Sequence, residues 1–196
     1  MTSTILTRRQ VAFSAAALAL PLPVLGHERE PWTLPEEYEP REVRLRDELE
    51  PGSIYVDPDE FALYWITAPK RATRYVVGVG RGNLYESGVF NVGAKKEWPS
   101  WTPTKSMIAR NPEQYAQYAK GMPGGPNNPL GARALYLFDD ARGDTFLRIH
   151  GTPEPWTIAS AVSNGCVRLV NDHITELYEE VQLGALVVLL PKVTVG

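Results

Sequence analysis

Residues 149–169 read IHGTPEPWTIASAVSNGCVRL, and this stretch carries the strongest signals in the chain. It contains His150 near its start and Cys166 near its end, and Cys166 is the only cysteine among 196 residues. A lone cysteine forms no intramolecular disulfide, and in the absence of other signals it is most often a small buried hydrophobe. The turn Ser163-Asn164-Gly165-Cys166 is too polar for an ordinary core, so the sequence favours a reactive thiol at this position.

A cysteine nucleophile reacts as the thiolate, so it needs a field that lowers its pKa or a base that takes its proton. His150 is the candidate base, because it lies at the predicted end of a strand, where the backbone holds a side chain still. His27 lies in a proline-rich segment and His173 at a predicted helix start, and both are weaker candidates. Neither motif contains an acidic partner, so a backbone carbonyl is the favoured group for orienting the imidazole.

An acyl intermediate develops negative charge on oxygen and needs N–H donors already aimed at it. The glycine before the cysteine permits a tight turn, so the backbone N–H groups of Asn164, Gly165 and Cys166 are the candidate oxyanion donors. We expect Arg168, two residues further on, to support the loop, bind a substrate carboxylate or lower the pKa of the thiol. Further candidate substrate-binding residues are Ser163, Thr152 and Arg168 itself.

Outside this stretch the sequence predicts a β-rich domain. Short β-branched and aromatic runs are separated by turn residues rich in proline and glycine. The predicted strands cover residues 54–56, 61–66, 75–79, 88–92 and 185–190, with a hairpin over 132–138 and 145–149.

Two short helices and one long loop complete the predicted domain. The first helix covers 111–120, where Asn111 can cap and Pro112 suits the first helical position, and the second covers 172–181. Residues 121–131 are dense in proline and glycine and form a long connection of a kind that often serves function.

The N-terminus predicts export. Arg8 and Arg9 precede an apolar run over 11–20 and small residues up to Gly26, which is typical of a cleaved signal peptide over 1–26 and resembles a twin-arginine signal. The alternatives are an uncleaved anchor or a hydrophobic arm, although the run is short for spanning a bilayer. We therefore expect a periplasmic or cell-envelope protein that meets the membrane only through this segment.

The rest of the chain divides by composition. Residues 27–52 are rich in proline and charge and predict an arm or, more simply, a linker; 53–191 form the predicted catalytic domain, and 192–196 a tail. The net charge of −3 gives no support for a nucleic-acid partner, which normally meets a concentrated basic face.

The motifs together resemble the L,D-transpeptidase catalytic domain, the YkuD type, of bacterial cell-wall enzymes. The resemblance rests on PGGPNNPLGARALYL from residue 123, IHGT, SNGCVRL and NDHITELY, in that order, and extends more loosely to Ser53. It implies a mainly β fold: a YkuD-like β-sandwich with two short helices and a long loop over the active-site cleft. It departs at Asn164, where many relatives have histidine, and this puts the fine substrate preference in question.

The resemblance also implies a reaction. Cys166 would attack the third residue of a peptidoglycan stem tetrapeptide, release D-alanine and form a thioester that an amine resolves to a 3-3 cross-link. His150 would act as base and then acid, with the Gly151 carbonyl orienting it. No metal and no cofactor are expected, and carbapenems are expected to acylate the cysteine.

Other outcomes for the same thioester stay open at this point. Water as acceptor gives an L,D-carboxypeptidase, a free D-amino acid gives exchange, and an amine on an envelope protein gives anchoring of that protein to peptidoglycan. A non-catalytic peptidoglycan-binding module is disfavoured, because both reactive groups are present. A papain-like hydrolase is disfavoured because there the cysteine precedes the histidine.

Overall fold

The computed structural model describes residues 32–193, so the predicted signal peptide and the last three residues lie outside the described part. The strands within it are β1 (Arg41–Arg44), β2 (Ile54–Asp57), β3 (Ala62–Ala68), β4 (Arg71–Val76), β5 (Val79–Gly80), β6 (Gly88–Glu97), β7 (Arg133–Asp139), β8 (Gly143–His150), β9 (Ala161–Ser163), β10 (Val167–Arg168) and β11 (Leu186–Leu189). The helices are α1 (Lys105–Arg110), α2 (Pro112–Tyr115) and α3 (Asn171–Glu180).

Most of these strands belong to one mixed sheet. Among the described residues its order is β1-β4-β3-β2-β11-β6-β7-β8-β10, and β5 and β9 pair separately. β10 runs parallel to β8, with Val167 opposite Ile149 and Arg168 opposite His150. A parallel pair needs a long crossover, and residues 151–166 supply it. The crossover therefore brings the histidine and cysteine motifs onto neighbouring strands.

The two ends of the sheet meet. Gly78, just after β4, forms an antiparallel bridge with Arg168 in β10, with N–H···O distances of 2.9 and 2.8 Å. β4 lies next to one edge and β10 forms the other, so the sheet folds over on itself. One connected apolar core fills the interior, with members from both halves of the sheet and from α3, among them Leu63, Tyr75, Leu135, Ile149, Ile174 and Leu177. The expected β-sandwich is confirmed.

The other predicted strands are confirmed with shifted ends, but the single strand predicted over 75–79 is wrong, because β4 ends at Val76 and β5 begins at Val79. The helices also differ. Asn111 caps α2 as predicted, since its side-chain oxygen accepts the N–H of Gln114 at 3.2 Å. The helix then tightens into a 3₁₀ turn over Ala116–Tyr118 and is shorter than predicted. α1 was not predicted, so within residues 32–193 the structure has three short α-helices rather than two. No helix of this part is both long and apolar enough to cross a membrane.

The segment over 27–52 includes a strand that the sequence analysis did not predict. β1 pairs antiparallel with β4 from Arg41↔Arg74 to Arg44↔Arg71. Its side chains are mostly exposed, so it has no alternating apolar pattern from which it could be recognised. This part of the predicted arm is therefore an edge strand of the sheet.

Candidate active site

One cleft of about 770 Å³ opens beside the end of β8. Its walls come from β8, from the loop before β10, from α1 and α2, and from the 121–131 loop. The cleft contains the two reactive candidates, His150 and Cys166, and also Ser163, Asn164 and Arg168. The structure therefore brings most of the predicted site residues together.

His150 is the last residue of β8 and is only 3% exposed. Its Nδ1 lies 2.5 Å from the carbonyl oxygen of Gly151, the contact expected from the resemblance. A carbonyl only accepts, so Nδ1 carries the hydrogen and Nε2 keeps a free lone pair. Burial lowers the pKa of His150 to about 3, helped by the positive charge of Arg168 and, less, of Arg148, and opposed by the bond to Gly151. The imidazole is therefore neutral at pH 7 and able to accept a proton.

Cys166 precedes β10 and is partly exposed to the cleft. Burial raises the pKa of its thiol, while the backbone N–H of Arg148 and the charges of Arg148 and Arg168 lower it. The net direction is upward, so the resting pair is a neutral thiol and a neutral imidazole. Proton removal by a base, rather than a preformed thiolate, is the chemistry that this pair supports.

Ser163 holds the loop of the nucleophile. Its hydroxyl donates to the carbonyl of Cys166 at 2.6 Å and accepts the N–H of Gly165 at 3.1 Å. The Gly165 N–H is thereby already engaged within the loop, which argues against the predicted oxyanion donor at this position. The N–H groups of Asn164 and Cys166 have no partner among the described residues and are the candidates that remain. The Ser163 hydroxyl is used within the loop, and since the residue also lines the cleft, its substrate contact stays a prediction.

The side chain of Asn164 has a role that the sequence analysis missed. Its Nδ2 donates to the hydroxyl of Tyr115 at 2.9 Å, and its Oδ1 accepts from Arg110 at 3.1 Å and from Arg81 at 3.5 Å. Residues 105–118, which we call the helical wall, are thus tied to Asn164. This residue belongs to the loop over 163–166, which we call the nucleophile loop. The partners lie far away in sequence, so no local signal reveals them.

Arg168 and Thr152 differ in their placement. Arg168 lines the cleft with its Nη1 3.6 Å from a carboxylate oxygen of Glu154, and its Nε is buried without a hydrogen-bond partner. Thr152 is buried and its hydroxyl accepts the N–H of Glu154 at 3.0 Å. It lines a neighbouring groove and not the cleft, so the structure does not support its prediction as a substrate-binding residue.

Arg148 is a cleft residue that the sequence analysis did not select. Its guanidinium donates to both carboxylate oxygens of Asp144, at 2.7 and 2.9 Å, and its central carbon lies 4.0 Å from the ring centroid of Tyr136. Strand alternation was the available signal, because Arg148 lies two residues before His150 and so shares its face. Over residues 32–193, no group of three or more His, Cys, Asp or Glu side chains is placed to hold a metal ion.

With this geometry established, comparison with known proteins identifies the family. The family model "YkuD: L,D-transpeptidase catalytic domain" matches residues 51–189. The chain belongs to this family.

Named relatives agree with the assignment. The chain is 35% identical to "Probable L,D-transpeptidase YbiS" of Escherichia coli K12 over 150 residues, which is 74% of this chain but 46% of that protein. It therefore spans about half the length of the first curated relatives that it matches. It is 32% identical to the ORF 5 product from the ATP synthase subunits region of Fuscovulum blasticum, which also carries an L,D-transpeptidase name, over 94% of this chain and 97% of that protein.

Solved structures share the fold. A Brucella melitensis structure titled "Probable carnitine operon oxidoreductase caia" is 44% identical, with a TM-score of 0.55, and the match covers 78% of this chain and 93% of that one. L,D-transpeptidase 3 of Mycobacterium tuberculosis, solved with a faropenem-derived adduct, has a TM-score of 0.51 at 14% identity over 71% of this chain and 60% of that one, and shows the fold alone.

Proposed function

We propose that this protein is an L,D-transpeptidase that acts on peptidoglycan stem tetrapeptides through a thioester on Cys166 and forms 3-3 cross-links. The observation that carries the proposal is the His150 imidazole, held by the Gly151 carbonyl with its Nε2 lone pair free, on the strand beside the cysteine. Family membership supports the same reaction class.

The first half of the reaction forms the thioester. His150 Nε2 takes the thiol proton as Sγ bonds to the carbonyl carbon of the third stem residue. The N–H groups of Asn164 and Cys166 stabilise the resulting oxyanion. The C–N bond to D-alanine then breaks, and the leaving nitrogen receives the proton from the imidazole.

The second half transfers the acyl group. An acceptor amine bonds to the thioester carbon and gives a proton to His150, which is neutral again and able to accept it. The C–S bond breaks, and Sγ takes the proton back from the imidazole. The products are the new amide and the original thiol, so the cycle consumes no cofactor.

The charge of the cleft supports a substrate that carries carboxylates. Arg110, Arg148 and Arg168 line it, against the carboxylates of Glu86 and Glu154. A stem peptide presents several carboxylates, and guanidinium groups recognise them with two parallel hydrogen bonds. Arg168 suits this role best, because it lines the cleft two residues beyond the cysteine.

The decisive experiment is to incubate the purified protein with a disaccharide tetrapeptide and to analyse the products by mass spectrometry. A dimer with the mass of two tetrapeptides minus one alanine supports the proposal. A tripeptide indicates carboxypeptidase activity, replacement of the last residue indicates exchange, and a product found only with an envelope protein indicates anchoring. Unchanged tetrapeptide under all conditions contradicts the use of this substrate.

The thioester is tested separately with a carbapenem. Attack of Cys166 on the β-lactam carbonyl opens the ring and adds the whole inhibitor mass to the protein, because no group leaves. Cys166→Ala should show no added mass. Ser160→Ala is the control on the same crossover: it loses a hydroxyl that donates to the Thr157 carbonyl at 2.6 Å, and it should still be acylated. Acylation of Cys166→Ala would overturn the assignment of the nucleophile.

We propose further that the protein works in the periplasm or cell envelope. The support is the composition of the first 26 residues, with paired arginines and an alanine-rich apolar run. Fusion of this segment to a reporter that is active only after export tests the idea. Retention of the reporter in the cytoplasm would contradict it. If the reporter is exported, loss of export in the double variant Arg8→Lys and Arg9→Lys would identify a twin-arginine route.

A further inference from the structure

β8 contains an irregularity directly beside the cysteine. It pairs with β7 at Tyr136↔Arg148 and next at Phe138↔Asp144, so β8 uses more residues than β7 between these two pairs. Three residues of β8, 145–147, thus stand opposite the single Leu137 of β7 and form a β-bulge, and Phe146 at its tip has φ +62° and is 68% exposed. A left-handed backbone at a bulky residue costs about 1 to 2 kcal/mol, and such strain persists only where its surroundings enforce it.

Side chains of the same strand enforce the bulge. The Thr145 hydroxyl donates to the carbonyl of Leu137 at 2.7 Å and accepts the N–H of Leu147 at 3.1 Å. Asp144 accepts the N–H of Phe146 at 2.8 Å while it also binds the guanidinium of Arg148. The conformation is therefore fixed from both sides of Phe146.

The bulge presents backbone groups to the nucleophile. The carbonyl oxygen of Phe146 lies 3.9 Å from Sγ of Cys166, within reach of an S–H···O contact. The backbone N–H of Arg148, two residues further along β8, lowers the pKa of the same thiol. Contacts of this kind are individually weak, but a cysteine side chain has only three staggered rotamers, so a weak contact is enough to select one.

We propose that the β8 bulge is a positioning device for the nucleophile: the Phe146 carbonyl and the Arg148 N–H together hold Sγ of Cys166 in the rotamer from which it reacts. Thr145 and Phe146 are thus positioning residues that act through the cysteine. This inference deepens the proposed function, because it takes Cys166 as the reactive thiol of that site. A bulge beside a reactive group, where it aims a side chain or a backbone atom, is a recurring use of this irregularity.

The test loosens the bulge and measures how the alkylation rate of Cys166 depends on pH. Iodoacetamide is the reagent, because it reacts with a thiol without needing a substrate pocket. Thr145→Val removes the hydroxyl that braces the bulge, and Thr175→Val, which removes a hydroxyl donating to Asn171 on α3, is the matched control. We expect the iodoacetamide alkylation profile of Thr145→Val to move to higher pH, because the Arg148 N–H is lost to the sulfur. Its carbapenem acylation should fall about tenfold, as for a misplaced reacting group. Thr175→Val should match the unaltered chain in both.

A second substitution separates the backbone from the ring. Phe146→Gly adopts φ +62° without strain and keeps the carbonyl, so its alkylation profile should remain that of the unaltered chain. If it changes as much as that of Thr145→Val, the ring and not the backbone acts on the thiol, and the proposal is overturned. Equal profiles for Thr145→Val and Thr175→Val overturn it as well.

Two further outcomes are distinguishable. If Thr145→Val does not fold, Thr145→Ala takes its place, because water can then reach the freed groups, and the same shift is expected. If the unaltered chain is not acylated by a carbapenem, the proposed function fails, whereas the alkylation comparison still decides whether the bulge positions the thiol.

Discussion

His150 is buried, and its imidazole is therefore neutral at physiological pH. Desolvation is the largest cause, because a charged imidazole loses its hydration inside the protein. The Gly151 carbonyl favours the protonated form but does not outweigh burial. In the proposed reaction, a neutral base beside a neutral thiol takes the proton as Sγ attacks, so no charged pair has to be stabilised in the resting state.

This state predicts how stability depends on pH. The folded pKa of His150 is about 3, against 6.5 as its ordinary value, so between these two pH values the unfolded chain binds a proton that the folded chain does not. This contribution to stability is complete above pH 6.5 and decreases as the pH falls, by about 1.4 kcal/mol per pH unit. In His150→Gln the acid-side slope should be shallower, with a difference of about 2 to 3 kcal/mol at pH 4.5 relative to pH 8. Urea unfolding across this range measures it, and parallel curves for the two proteins would refute it.

At the residue scale the sequence was informative where chemistry is local. His150 was predicted as the base and Cys166 as the nucleophile from residue type, turn composition and order in the chain. The engagement of the Gly165 N–H by Ser163 and the tether from Asn164 were not predictable, because both depend on which way a side chain turns in the folded loop.

Among the elements, the C-terminal end of helix α3 is stabilised by a residue from a strand. Lys95 in β6 donates to the carbonyls of Tyr178 and, at 2.6 Å, of Val181, which terminate the helix, and its ammonium lies 4.3 Å from the ring centroid of Tyr178. The last carbonyls of a helix have no partner within it, and a cation at this end also interacts favourably with the helix dipole. The C-terminus of α3 is thus capped across the core.

Removal of this cap should weaken the fold without touching the cleft. Lys95→Met keeps the aliphatic stem and loses the donors, and we expect a decrease in the free energy of unfolding of about 2 kcal/mol. The neighbouring Lys96 is exposed, so Lys96→Met is the control and should change stability by less than about 0.5 kcal/mol. Thermal and urea unfolding give both values; equal losses would mean that the cap contributes nothing.

The helical wall lines the cleft and is tied to Asn164. Within residues 32–193, its side-chain hydrogen bonds to the loop before Cys166 are those of Tyr115 and Arg110 with Asn164. Tyr115→Phe removes one hydroxyl, so hydrogen exchange over residues 105–118 should become about fivefold faster, equivalent to about 1 kcal/mol. In the described chain the Tyr118 hydroxyl has no such bond, so Tyr118→Phe should leave exchange unchanged. A tether without effect would show the same rates in both variants.

Elements with a strong local signal were predicted, and those without one were missed. The cap at Asn111 and the alternation in β7 and β8 can be recognised from residues that are adjacent in the sequence. α1 has a capping threonine, Thr104, whose oxygen accepts the N–H of Met107 at 3.2 Å, but its six residues give too little periodicity. β1 forms because β4 offers a free edge, which is a tertiary cause.

At the scale of the whole molecule, sheet closure determines where the cysteine lies. The sequence predicted a β-sandwich through its resemblance, but it contained no information on register or on which edges meet. The structure supplies both: Gly78 bridges Arg168, and Gly80 follows in β5, paired with Ser163 of β9. The nucleophile loop is therefore enclosed between the two ends of one folded sheet, and its geometry depends on residues about 85 positions earlier in the chain.

Gly80 tests this dependence. A Cβ there would lie 2.8 Å from the backbone N and Cα of Tyr85 and 3.0 Å from Cα of Gly165, so neither neighbour could move aside as a flexible side chain does. Gly80→Ala should lower the free energy of unfolding by about 1 to 3 kcal/mol, as overpacking does, and slow carbapenem acylation about tenfold or more, because the displaced glycine precedes the nucleophile. Lys95→Met is the comparison, with a similar loss of stability far from the loop and an unchanged acylation rate. Normal acylation in a destabilised Gly80→Ala protein would show that the nucleophile loop holds its geometry independently of sheet closure.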